Sequence, residues 1–110
     1  MAQFLMAQFD VFPNSGPGAQ ITPFLVEVQS DLLRDLDTRM VIPLRRRDKF
    51  AVQILPTRLT PDFVVQDIAC LLETPKMAAV PERILKDSVG TLADRREDIT
   101  GAIDFLIHGY

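Results

Sequence analysis

The hydrophobic pattern of this chain changes period once, late in the sequence, and that change limits what it can fold into. Ile99, Ala102, Ile103, Leu106 and Ile107 stand at i, i+3, i+4, i+7 and i+8, which is one stripe of an α-helix. Upstream, apolar residues come instead in short alternating runs, separated by turn residues roughly every ten positions. An amphipathic helix gains most of its stability by laying its stripe on other elements. The pattern therefore predicts a mainly β (α+β) fold, a small barrel or sandwich with a C-terminal α-helix docked on it. Asp94 is the expected N-cap with Glu97 as its capping-box partner. Gly109 suits the left-handed position just past the helix end. Burying Ile99, Ile103, Leu106 and Ile107 together would stabilise by roughly 6–12 kcal/mol as an upper figure. That outweighs the ~1 kcal/mol cost of Gly101 inside the helix.

The strand candidates follow from period-two alternation. Residues 9–12 place Phe9 and Val11 on one face. Residues 13–18 are a loop of proline, glycine, asparagine and serine, each a turn former for its own reason. In residues 24–30, Phe24, Val26 and Val28 face one way while Leu25, Glu27 and Gln29 face the other, so the first two runs suggest a hairpin. Residues 31–38 read as a turn with a short helical stretch. Residues 39–44 form another strand, and Pro43, which has no amide to donate, belongs at an edge or a strand end. Residues 45–49 are a charged turn, 51–55 a short strand and 58–61 a break. Residues 62–65 and 68–72 flank Gln66-Asp67, the shortest hairpin connection, although glycine is absent. The run 68–72 is apolar on both faces and belongs in the interior of a sheet.

Composition excludes several functions. The 110 residues fit one domain, and the formal net charge of -3 argues against a general nucleic-acid binder, since phosphate contacts need a basic excess. Cys70 is the only cysteine, so no internal disulfide is expected, which suits a reducing compartment such as the cytoplasm. No apolar run is long enough to span a bilayer, and no signal peptide is recognisable, so no membrane partner is expected. Met1-Ala2-Gln3-Phe4 recurs as Met6-Ala7-Gln8-Phe9. Residues 1–5 read as an extension or alternative start, and 6–110 as the domain.

Catalytic residues, metal ligands and cofactor sites are not expected. Cys70 alternates with Ile68 and Leu72 and reads as a small buried hydrophobe, and the one histidine, His108, lies far along the chain. Asp62 and Asp67, like Asp94 and Asp98, read as turn and cap residues. Two surfaces stand out instead. His108-Gly109-Tyr110 is either a docking tip for another macromolecule or a frayed terminus. Arg45, Arg46, Arg47 and Lys49 either receive an acidic ligand through bidentate pairing or form a solvated turn.

Four blocks resemble a known family. Val26-Glu27-Val28-Gln29-Ser30-Asp31, Arg39-Met40-Val41-Ile42-Pro43-Leu44, Met77-Ala78-Ala79-Val80-Pro81 and Gly90-Thr91-Leu92-Ala93-Asp94-Arg95-Arg96-Glu97-Asp98-Ile99 are similar, in order and spacing, to CcdB, the toxin of plasmid and chromosomal toxin–antitoxin modules. The resemblance implies an SH3-like β-barrel with a C-terminal helix, assembled as a two-fold homodimer. It implies a non-enzymatic poison that binds the A subunit of DNA gyrase, or a related type II topoisomerase, and traps it on cleaved DNA. A CcdA-like antitoxin would neutralise it through a disordered acidic tail, for which the Arg45–Lys49 cluster is the candidate receiver.

The resemblance puts the target contacts at the helix tip. The family's typical Trp-Gly-Ile ending is His108-Gly109-Tyr110 here, Asp104 stands where an asparagine contributes, and Leu32 and Leu33 stand where two isoleucines flank the site. Ile107 completes the surface. The chain has no tryptophan, a favoured hot-spot residue. Two alternatives follow: a MazF-like endoribonuclease using Arg58 with Thr57 or Thr60, and a non-toxic relative that only binds antitoxin.

Overall fold

The computed structural model describes residues 7–50 and 55–110. The strand expected over 51–55 falls almost wholly outside them, as does the extension 1–5. Seven strands are present among the described residues: β1 (Asp10–Pro13), β2 (Phe24–Glu27), β3 (Thr38–Arg46), β4 (Asp62–Val65), β5 (Ile68–Leu72), β6 (Ala78–Pro81) and β7 (Gly90–Thr91), followed by helix α1 (Arg96–His108). Every pairing is antiparallel, in the order β4-β5-β3-β2-β1-β7, with β6 added against β3. The result is a nearly closed antiparallel β-barrel with one C-terminal helix, as expected.

β3 organises the barrel. One side pairs with β2 over Val41–Leu44, while the other pairs with β6 over Thr38–Val41 and with β5 over Leu44–Arg46. Pro43 therefore sits within the central strand, not at an edge or end. Its carbonyl accepts the Glu73 amide at 2.9 Å, so its nitrogen faces the gap between β5 and β6. No ladder needs a donor there, which is why proline is tolerated.

Alternation along the strands serves two cores. Val11, Phe24, Val26, Ile42, Leu44, Phe63, Cys70 and Leu72 point toward the helix, where they meet Leu92, Ile99 and Ala102. Phe12, Val41 and Leu85 form a smaller cluster on the other face, with Leu25 and Val80 against it. Phe9 joins the main core but precedes β1, with φ of 74°. The expected hairpin of β4 and β5 closes through Gln66 and Asp67 at φ of 50° and 64°. Both lie in the left-handed region that such a two-residue turn demands.

The helix departs from expectation at both ends. Asp94 is not the N-cap: α1 begins at Arg96, its cap position is Arg95, and no side chain caps it. A 3-10 turn, Ala93–Arg95, leads in. It already directs the Arg95 amide to Leu92 O and the Arg96 amide to Ala93 O, so one of the two amides a capping Asp94 would serve is already bonded. Farther along, only Ile99 and Ala102 are fully buried and Ile103 is half-buried. Leu106 is 39% and Ile107 62% exposed. The large aliphatic residues are therefore not buried together: exposure rises along the stripe toward Ile107.

Candidate interaction surfaces

The free half of α1 carries the tip. Gly109 adopts φ 81°, ψ 12°, and its amide bonds Phe105 O at 2.9 Å. This is the left-handed C-terminal motif expected from sequence, and it closes the helix. Beyond it Tyr110 is 73% exposed, and its ring lies 5.7 Å from that of His108, tilted by 30°. Asp104, Ile107 and His108 follow one another at i, i+3 and i+4, so they share a helix face, and all three are exposed. The arrangement offers an aliphatic patch bordered by two aromatic rings and a carboxylate.

Leu32 and Leu33 lie in a separate 3-10 turn, Asp31–Leu33, where Ser30 Oγ accepts the Leu32 amide at 3.2 Å. Leu32 is 93% exposed, and Leu33 and Leu36 are both 51% exposed. The turns nearest α1 are Thr74–Lys76 and Ala93–Arg95, not this one. The structure thus brings the tip residues together and presents the leucines as a second apolar patch. Leu36 belongs to that patch, although its sequence neighbours, two aspartates, made the segment read as an ordinary polar turn.

The backbone behind the leucines is held by Arg39, which is buried. Its guanidinium donates to Leu36 O at 2.6 Å, Arg34 O at 2.7 Å and Thr38 O at 3.0 Å, and also to the Glu82 carboxylate. On its inner side Nε lies 3.7 Å from Oε2 of Glu27, too long for a hydrogen bond. Glu27 is only 2% exposed. Burial, only partly offset by Arg39, pushes its carboxyl up to about 7, with Asp31, Asp10 and Glu82 adding to the rise. Sequence reading placed Glu27 on a polar strand face and did not single out Arg39. Their pairing spans two strands and leaves no local signature.

The basic cluster is engaged internally. Arg45 donates to Lys49 O from Nε and Nη2 at 3.0 and 2.9 Å, and its Nη1 lies 3.8 Å from Glu73. Arg46 grips Asp48 with two bonds, 3.1 and 3.0 Å, which holds the Asp48 carboxyl below its usual range. Arg47 pairs with Asp62 at 3.0 Å. A shallow groove lined by Arg46, Arg47, Asp48, Asp67, Ile68 and Ala69 runs beside them.

Of the residues of the ribonuclease alternative, Thr57 and Arg58 line a shallow groove with Arg95, Glu97 and Asp98. Arg58 lies over the Phe105 ring at 5.6 Å, and Thr60 is buried. Cys70 is buried as expected, its Sγ 3.6 Å from Ile68 O, and burial pushes its thiol up. Among the described residues no group of three His, Cys, Asp or Glu could hold a metal ion, and no helix is long and apolar enough to cross a membrane.

The barrel and the closing helix match what the four sequence blocks imply. A family model described as "CcdB protein" matches residues 8–109, nearly the whole chain. The chain belongs to the CcdB family, the toxins of toxin–antitoxin modules.

Proposed function

We propose that this toxin poisons a type II topoisomerase, the A subunit of DNA gyrase, without catalysing a reaction itself. It binds through the helix tip, His108, Gly109 and Tyr110, together with Asp104 and Ile107 on the same helix and Leu32 and Leu33 on the separate Asp31–Leu33 turn. The observation that carries this reading is the unburied half of the α1 stripe. Leu106 at 39% and Ile107 at 62% exposure continue a stripe whose first half is fully dry. Exposed apolar surface of this kind, rimmed by polar residues, marks an interaction site. A two-fold homodimer would present two such tips to a symmetric enzyme. A CcdA-like antitoxin neutralises the toxin, and Arg45, Arg46, Arg47 and Lys49 receive its acidic tail. That tail must displace Glu73, Asp48 and Asp62 from the arginines, so binding of this face weakens steeply with salt.

The test is expression in bacteria of the full chain and of a chain lacking His108, Gly109 and Tyr110, with purified protein assayed for gyrase binding and for stabilised DNA cleavage. The full chain arrests growth and accumulates cleaved DNA, and the truncated chain does neither. A harmless full chain whose purified form ignores gyrase refutes the proposal.

A further inference from the structure

Arg39 occupies an unequal tug-of-war. Outward, three carbonyls of residues 34–38 and the Glu82 carboxylate hold its terminal nitrogens. Inward, Nε faces Glu27 across 3.7 Å. Glu27 Oε1 and Arg39 Nε are buried without a hydrogen-bond partner. Buried polar atoms are seldom left so, because each forfeits its hydration without compensation. A shift of the guanidinium inward by a fraction of an ångström would give Nε a partner in Glu27 Oε2, at the expense of its grip on the loop. The groups facing Glu27 are Arg39 from β3, Asp10 from β1, Asp31 from the following turn and Glu82 from the turn after β6. An ionised Glu27 thus competes with Glu82 for Arg39, while Asp10 and Asp31, the latter paired with Arg34 at 3.7 Å, add negative charge nearby. A neutral Glu27 leaves Arg39 to Glu82 and the carbonyls.

We propose that Glu27 is a proton-operated counter-ion of Arg39, and that its ionisation draws the guanidinium inward and loosens the segment that presents Leu32, Leu33 and Leu36. Arg39 is then a positioning residue for that apolar patch, and Glu27 makes the positioning sensitive to pH near neutrality. Burial is what brings Glu27 into that range, since its carboxyl is pushed up to about 7. The consequence for target binding rests on the reading that Leu32 and Leu33 flank the target contact. The device itself does not.

The test is an NMR titration of the full chain across neutrality, with leucine methyls and the Arg39 Nε–H resolved. A His108→Gln background removes the one imidazole from the readout. The Leu32, Leu33 and Leu36 methyls and the Arg39 Nε–H move together with one midpoint near pH 7, while the Leu72 methyls stay still. Glu27→Gln abolishes the movement. Glu82→Gln, which removes a neighbouring negative charge, lowers the midpoint. Leucine methyls that do not titrate, or that titrate identically in Glu27→Gln, overturn the proposal. Should Glu27→Gln not fold, a midpoint unmoved by Glu82→Gln overturns it alone. The readout uses the toxin by itself, so a failure to bind gyrase leaves this result standing, and a flat titration leaves the gyrase reading standing.

Discussion

Two substitutions on one helix stripe separate its anchoring half from its free half. Ile99 is 0% exposed, packed among Phe9, Leu92 and Ala102 in the main core. Ile99→Ala removes three carbons from a filled interior, so it costs the transfer energy plus a cavity, about 3 kcal/mol within the usual range for such truncations. For a domain of this size that lowers Tm by roughly 10–15 °C. Ile107 is 62% exposed, so Ile107→Ala gives up little buried area. Alanine is also the better helix former by a few tenths of a kcal/mol, and the net change is within about 0.5 kcal/mol of zero. Urea denaturation of both variants at several protein concentrations, alongside gyrase-binding measurements, checks the difference. Ile99→Ala is strongly destabilised. Ile107→Ala keeps its stability and loses at least tenfold in affinity, the effect of about 1.4 kcal/mol at an interface. If Ile107→Ala proves as destabilised as Ile99→Ala at every concentration, the tip is packed against the protein and the docking argument is wrong.

Stability should depend on pH through Glu27. Its folded value near 7 exceeds the ordinary 4.5, so the folded protein holds the proton more tightly than the unfolded chain does. This contribution is complete below about pH 4.5 and is lost as pH rises to about 7. Glu27→Gln is therefore more stable than the parent above neutrality, by up to about 3 kcal/mol, and equal to it in mild acid; thermal melts at both pH values decide. In the β4–β5 turn, Gln66→Asn combined with Asp67→Gly relieves two left-handed residues and raises stability by about 1 kcal/mol, read as a shift in urea midpoint at constant slope. His108→Trp enlarges the tip and strengthens gyrase binding by about 2 kcal/mol, or some thirtyfold by calorimetry. An unchanged affinity would show that the imidazole position does not meet the target.

Much of the barrel was legible because its signals are local. Alternation in residues 9–12 and 24–30 reports which face is apolar without reference to any other segment. Gln66 and Asp67 read as a hairpin turn from the apolar runs on either side. Gly109 could be placed because a left-handed residue after a helix stripe has few alternatives. Less of the interaction surface could be read. The tip stood out from the sequence, and the resemblance supplied Leu32, Leu33 and Asp104, but not that Leu36 is exposed beside the leucines or that Arg39 ties down the loop beneath them. The β6 and β7 strands were missed because four and two residues carry too little pattern to stand above their surroundings.

The sequence alone determined the late helix, its closing glycine and the alternation that sorts the strand residues between faces. These depend on periods of 3.6 and 2, which are properties of neighbouring residues. Tertiary structure alone decided how far the helix stripe is covered, where a proline can lie inside a central strand, and that a glutamate on an apparently polar face is sealed in beside an arginine. Each of those depends on where other segments lie. Ile107 is bare because its neighbours leave it 62% exposed, Pro43 is harmless because β5 and β6 leave a gap, and Glu27 is dry beside the equally buried Arg39.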